Sequence, residues 1–272
     1  YGEGPGRSGG GAVPPAARNM SAASHANRGR DHTQMAVISL LVAGLLWGLT
    51  WMPLKYFGAQ GLNGPMLTLT SYGMVGLLAL PWLTWRHASW WPQRWHVLLF
   101  ALTGGAANLC FISALMQGDV VRVMLLFYLA PVWGVLGGRV FLAEPFTRLR
   151  VTGVVLSVTG AALLLGGPAI IHTLPGMVDL LALAAGFFYA SQNIVTRAAH
   201  ATPIDAKALF IFVGCGLLSA IIVGFGAQTI PPISGMLAAQ LFGFSGLWML
   251  AAMLFTAWGV THLEAGRAAV LL

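Results

Sequence analysis

The sequence predicts an all-α, polytopic membrane protein, and three observations carry that reading. Only 8% of the 272 residues are charged and 57% are hydrophobic, with a mean hydropathy of +0.79. Soluble domains are roughly one-quarter charged, so most of this chain's outside must face lipid. Apolar runs of bilayer-spanning length, about 20 residues, recur along the chain, and none alternates as barrel strands do. The 35 glycines and 14 prolines suit membrane helices, in which small residues let backbones approach and breaks are tolerated beside cavities. This composition excludes a soluble enzyme, a secreted disulfide scaffold and a disordered regulator. The basic residues behind the net charge of +7 are scattered singly, so no nucleic-acid partner is implied. Cys110 and Cys215 lie in apolar stretches and act as small hydrophobes.

Residues 1–34 are mostly Gly, Pro, Ala, Ser and Arg with almost nothing to bury, which predicts a disordered tail or an expression remnant. Tyr1 is not a start residue, and Met20 and Met35 are candidate starts. The first span is expected at 36–56, with Gly44, Trp47, Gly48 and Trp51 on one face. The second falls at 64–85. The third, 96–117, carries Gly104, Gly105 and Asn108 at its middle. The fourth, 120–142, opens behind Asp119 and holds Pro131. The fifth, 149–168, is very apolar, with Gly153 and Gly160. The sixth, 177–198, places Tyr189, Gln192 and Asn193 near the bilayer centre. The seventh, 205–226, contains Cys215, and the eighth, 239–262, carries Trp248, Phe255 and His262 at seven-residue intervals. A ninth begins with Glu264 and Arg267 and breaks off at Leu272.

Charge fixes the expected orientation. With the N-terminus in the cytoplasm, nearly every Lys and Arg falls inside, and only Lys55 and Arg122 lie outside, as the positive-inside rule requires. The loops near Gly61 and His172 are then external.

Sliding the chain on itself by 142 residues lays Gly44, Trp47, Gly48, Trp51 and Lys55 over Gly186, Tyr189, Ala190, Asn193 and Arg197. At nearby offsets Gly76-Leu77-Leu78 matches Gly216-Leu217-Leu218, and Asp119-x-x-Arg122 matches Glu264-x-x-Arg267. The first and sixth spans run in opposite directions, so the halves are inverted, an architecture that recurs in secondary transporters. The expected division is 35–170 for the first repeat and 171–272 for an incomplete second.

Trp47-Gly48 with Trp51, the stretch Leu129-Ala130-Pro131-Val132-Trp133-Gly134, then Glu144, Gly153 and Gly160 together resemble the drug/metabolite transporter superfamily, specifically its EamA-type members. The likeness covers 35–272 and implies two inverted repeats of five helices each. Ten helices would leave this chain short by two, about forty residues, so the second repeat is expected to be incomplete here. The many aromatics are similar to those of bacterial aromatic amino acid exporters.

The candidate substrate-binding residues are Trp47, Trp51, Asn108, Tyr128, Tyr189, Gln192, Asn193 and Trp248. Trp47 is too deep for an interfacial anchor, which leaves cavity lining and helix packing both open. The amides of Asn108, Gln192 and Asn193 must find partners at mid-depth, where an unsatisfied polar group costs several kcal/mol, and those partners are either another helix or a solute. Trp248, Phe255 and His262 read as a core stripe. Pro131 frees a carbonyl and permits a kink, the expected hinge, with Tyr128 one turn before it. Asp119 and Glu264 each start a helix with an Arg three residues on. Each pair is either an acidic cap with an i, i+3 ion pair or a gate in which Arg122 and Arg267 draw anionic groups at opposite mouths of one pathway.

No acidic residue falls at mid-membrane depth, which disfavours a cation-drug antiporter. No nucleophile triad, metal-binding helix motif or phosphate-binding glycine loop is present, so neither an enzyme, a metal nor a cofactor is implied. The expectation is an inner-membrane exporter of small organic metabolites, amino acids or similar amphipathic solutes, working by alternating access. Its partners are the bilayer and the solute. The rivals are a non-transporting scaffold or inactive fragment and a membrane-embedded transferase.

Overall fold

The computed structural model describes residues 34–143, 148–164, 176–199, 201–226 and 232–262. Among these there is helix and no strand. Seven runs are long and apolar enough to cross a membrane: α1 (Gln34–Ala59), α2 (Gly64–Trp85), α3 (Arg94–Gln117, with a short lead-in from His87), α4 (Val120–Leu142), α6 (Met177–Ala198), α7 (Ile204–Phe225) and α8 (Gly235–His262, of which Gly235–Thr256 is the spanning stretch). α5 (Arg148–Leu164) holds the shorter apolar stretch Val151–Leu163; its expected extension to 168 lies outside the described residues. So do the tail, Glu144, His172, Glu264, Arg267 and the expected ninth span.

Local chemistry sets the helix starts. Asn63 caps α2, its Oδ1 accepting from the Met66 amide at 2.9 Å, and Pro65 follows in the first turn, where a missing N–H costs nothing. Gly61, at φ 87°, supplies the left-handed turn that joins α1 to α2. Asp119 caps α4 through the Arg122 amide at 2.9 Å, and Ser234 caps α8 through the Leu237 amide at 3.2 Å.

Prolines set the breaks. Pro53 offers no N–H to the Leu49 carbonyl, and α1 is interrupted at Thr50, whose hydroxyl bonds back to the Leu46 carbonyl at 2.7 Å. Pro131 likewise orphans the Phe127 carbonyl, and α4 divides into Val120–Phe127 and Ala130–Leu142. In α8 a π-turn, Phe244–Met249, separates two α-helical pieces. Such a turn holds more residues than an α-turn. The expected seven-residue stripe does not hold as a core stripe. Trp248 packs against the core, but Phe255 is exposed, and the His262 side chain is not among those described.

Small residues sit at the crossings, as helix association in lipid requires. α2 and α7 cross antiparallel, with Gly73 against Gly216 and Gly76 against the Val213 backbone; a Cβ on Gly216 would stand 2.7 Å from the Gly73 Cα. Thr68 and Ser219 share a buried hydrogen bond of 2.7 Å across the same pair. α3 meets α7 where Gly214 lies on the Ala101 carbonyl and Gly105 on the Gly214–Cys215 peptide. α6 reaches α4 through Gly186, where a Cβ would come within 2.8 Å of the orphaned Phe127 oxygen. α8 closes on α1 through Gly259, against Leu40 and Ala36. Between the helices runs an apolar core that includes Leu54, Leu67, Tyr72, Ile112, Phe212 and Met249.

The outside is as apolar as the inside: Leu77, Leu78, Phe141, Leu163, Phe225 and Leu247 are all largely exposed. A surface of that kind is far beyond the few hundred Å² of contiguous apolar patch that soluble monomers carry and matches a hydrocarbon surround.

Candidate functional site

Polar contacts collect at both ends of the bundle and along three helix pairs. At one end Lys55 Nζ donates to the Gly118 carbonyl at 2.8 Å, tying α1 to the close of α3. Arg122, at the start of α4, grips Asp179 at the start of α6, Nε to Oδ1 at 2.6 Å and Nη2 to Oδ2 at 2.7 Å. Asp179 also accepts from the Gly176 amide at 3.0 Å. Of the cap-and-pair reading of Asp119 and Arg122, the cap is present and the i, i+3 ion pair is not. Asp119 engages the backbone amide of Arg122, while the guanidinium crosses to the next helix. The reason is geometric, because a bidentate carboxylate satisfies the planar fork better than a residue on the same turn can. At the opposite end Asp205 accepts from Arg86 and from Trp82 Nε1, each at 3.0 Å.

The expected substrate-binding residues fall into three groups. Trp47 and Trp248 join α1 to α8: Trp47 Nε1 donates to Thr256 Oγ1 at 3.0 Å, and Trp248 Nε1 to the Leu46 carbonyl at 3.1 Å and Thr50 Oγ1 at 3.2 Å. Ser39 to the Phe255 carbonyl (2.9 Å) and Tyr56 to Gln240 (3.0 Å) extend the same seam. Trp51, one turn past the Thr50 break, is partly exposed.

Asn108 and Gln192 form the second group, on α3 and α6. Asn108 Nδ2 donates to the Gly104 carbonyl at 2.8 Å, and its Oδ1 accepts from the Tyr72 hydroxyl at 2.8 Å. The Gln192 amide lies over Gly104, 3.0 Å from where a Cβ would stand. Tyr72, fully buried with its ring 5.0 Å from Phe212, is the residue that sequence reasoning missed. A lone tyrosine in an apolar helix announces no partner, and only the pairing of α2 with α3 supplies one.

Tyr128, Tyr189 and Asn193 form the third group, at the α4 break. Phe127 meets Phe111 (4.7 Å) and Tyr189 (5.3 Å) in tilted ring contacts, and Tyr128 meets Phe127 edge-on at 5.8 Å. Asn193 stands beside the Tyr189 hydroxyl. Tyr128 and Tyr189 are 60% and 40% exposed, so unlike Tyr72 and Asn108 they keep open faces. At 1.5 Å per residue, Tyr128 lies about 9 Å inward of Arg122 and Tyr189 about 15 Å inward of Asp179, so the group sits toward mid-bundle below the ion pair. Pro131 sits where it interrupts α4 beside this group. No set of three or more His, Cys, Asp or Glu side chains that could hold a metal occurs among the described residues.

Comparison with known proteins adds an independent line. The EamA-like transporter family matches over residues 34–166. A solved structure described only as "Crystal structure of protein" is similar to this chain at a TM-score of 0.52 and 20% identity, covering 87% of this chain and 85% of that one. At that identity the likeness speaks for the fold alone. No curated protein matches. The multi-pass helical architecture and the family match agree on a membrane transporter of small solutes, residues 34–166 being similar to the EamA-like transporter family of the drug/metabolite transporter superfamily.

Proposed function

We propose that this chain exports a small amphipathic organic solute, of the amino acid or aromatic metabolite class, by alternating access between two inverted repeats, 35–170 and 171–272. The observation that carries the proposal is the group at the α4 break. Two tyrosines with open faces and an exposed amide, Asn193, stand at mid-depth beside a helix whose backbone is interrupted, below an ion pair that closes one end. Open aromatic faces suit an aromatic or aliphatic body, while an amide and two hydroxyls suit a zwitterionic head without fixed charge.

The reciprocity of the α2–α7 crossing supports two related halves. Gly76 and Gly216 match in the repeat, the same offset sets Gly73 at the position of Val213, and each member touches the other pair's mate. The seams α3–α6 and α8–α1 are likewise equivalent under that matching. In this reading Pro131 is the hinge and Asp119 with Arg122 the outer gate, with Glu264 and Arg267 their inner counterparts. The N-terminus is cytoplasmic in an inner membrane. Trp51, Gln192 and Asn108 border the path, whereas Trp47 and Trp248, whose indoles are engaged, hold α1 to α8 along its wall. Counterflow of radiolabelled amino acids into proteoliposomes tests the proposal: Tyr189→Ala should cut flux at least about tenfold with expression retained, an outcome expected when a stacking contact is lost. Undiminished flux in that variant removes Tyr189 from the path.

A further inference from the structure

The segment between α2 and α3 gathers rings and cations that the transport reading does not use. Trp85 ends α2 and Arg94 begins α3, so His87–Trp90 and the 3₁₀ turn Trp91–Gln93 lie where two neighbouring spans leave the hydrocarbon. Trp85, Trp91 and Trp95 are 75%, 54% and 68% exposed. The Arg94 guanidinium carbon lies 5.7 Å from the Trp91 ring centroid and 5.9 Å from that of Trp95. Two rings thus hold one cation at the surface. Trp90 fixes the turn beneath, donating to the Leu83 carbonyl at 2.9 Å and meeting Phe210 of α7 edge-on at 4.9 Å.

Charge complementarity names the occupant. The acidic side chain described at this end is Asp205, which Arg86 and Trp82 engage, and Arg94 has no ion-pair partner among the described residues. Indole rings settle at headgroup depth, and a guanidinium among them turns its N–H fork toward a phosphate diester. We propose that Trp91, Arg94 and Trp95 form a headgroup site for an anionic phospholipid. The aromatic faces carry the glycerol and upper acyl region, and Arg94 takes the phosphate.

Native mass spectrometry of the purified chain, incubated with phosphatidylglycerol or with phosphatidylcholine, tests this. The chain should retain phosphatidylglycerol over phosphatidylcholine, and Arg94→Gln should weaken that retention about fivefold, the worth of one basic residue at an anionic surface. Trp91→Ala should weaken it as well, which keeps the test decisive if either variant fails to fold. Equal retention of the two lipids by the unaltered chain overturns the proposal. So does unchanged phosphatidylglycerol retention in Arg94→Gln with native helix content by circular dichroism. Neither result depends on solute flux.

Discussion

Arg122 and Asp179, 57 residues apart, meet in a two-point ion pair that joins the starts of α4 and α6. The Asp179 side chain is 10% exposed and that of Arg122 41%, so the pair is neither a solvated surface contact nor a dry one. Breaking it from the arginine side leaves a sheltered carboxylate with only the Gly176 amide. A double-mutant cycle of Arg122→Gln and Asp179→Asn, read by thermal unfolding in detergent, should return a coupling of about 1–2 kcal/mol, above the range of exposed pairs and below that of fully buried ones. Additive losses would show the pair to be energetically idle.

If Arg122 also serves the outer gate, Arg122→Gln should alter transport of a carboxylate-bearing solute more than that of an uncharged analogue. The difference should shrink as salt rises, because screening weakens the attraction. Equal effects on both solutes would leave the pair as scaffold.

The Trp47–Thr256 bond predicts a specific non-additivity. Trp47→Phe and Thr256→Val each remove the same contact, worth about 0.6–1 kcal/mol between membrane helices. The double variant should therefore unfold no more easily than the worse single one. Independent losses would mean that the two side chains act separately.

Gly214 sits on the Ala101 carbonyl, whereas Gly224 on the same helix has nothing within 4 Å of a would-be Cβ. Gly214→Val should collapse the yield of folded protein, since overpacking of a tight contact costs about 1–3 kcal/mol or more, and Gly224→Ala should be tolerated. Equal tolerance, scored by monodisperse yield in detergent, would contradict the α3–α7 crossing.

Most helix positions were legible in the sequence because lipid demands long apolar runs, and the length of a run is a local property. The glycine spacing legible in α2 and α7 likewise reappears as a packed crossing. Two kinds of feature escaped. Backbone irregularities inside apolar runs, the Thr50 break and the Phe244–Met249 turn, leave hydropathy unchanged. Long-range partners were the other kind. Asp119 lay three residues from Arg122 and looked like its mate, while Asp179, the actual one, requires knowing that α4 and α6 stand side by side. Tyr72 and Asn108 are a second instance.

Orientation is testable apart from transport. In a chain with Cys110 and Cys215 replaced by Ala, Gln60→Cys is preferable to a cysteine at Gly61, whose φ of 87° disfavours any side chain. An impermeant thiol reagent should label Gln60→Cys from outside intact cells, and should label Ser89→Cys, at the opposite end, only after the cells are opened. The reverse pattern would invert the proposed topology.

The most direct measurement of the central claim is solute counterflow in proteoliposomes holding the purified, helical chain, with a panel of aromatic and aliphatic amino acids inside and labelled solute outside. The account predicts labelled uptake above that of empty liposomes for at least one aromatic or branched member, cut at least about tenfold in Tyr189→Ala and largely kept in Gly224→Ala. Uptake indistinguishable from empty liposomes for the whole panel, with the chain folded and inserted, would contradict it and favour a non-transporting membrane protein.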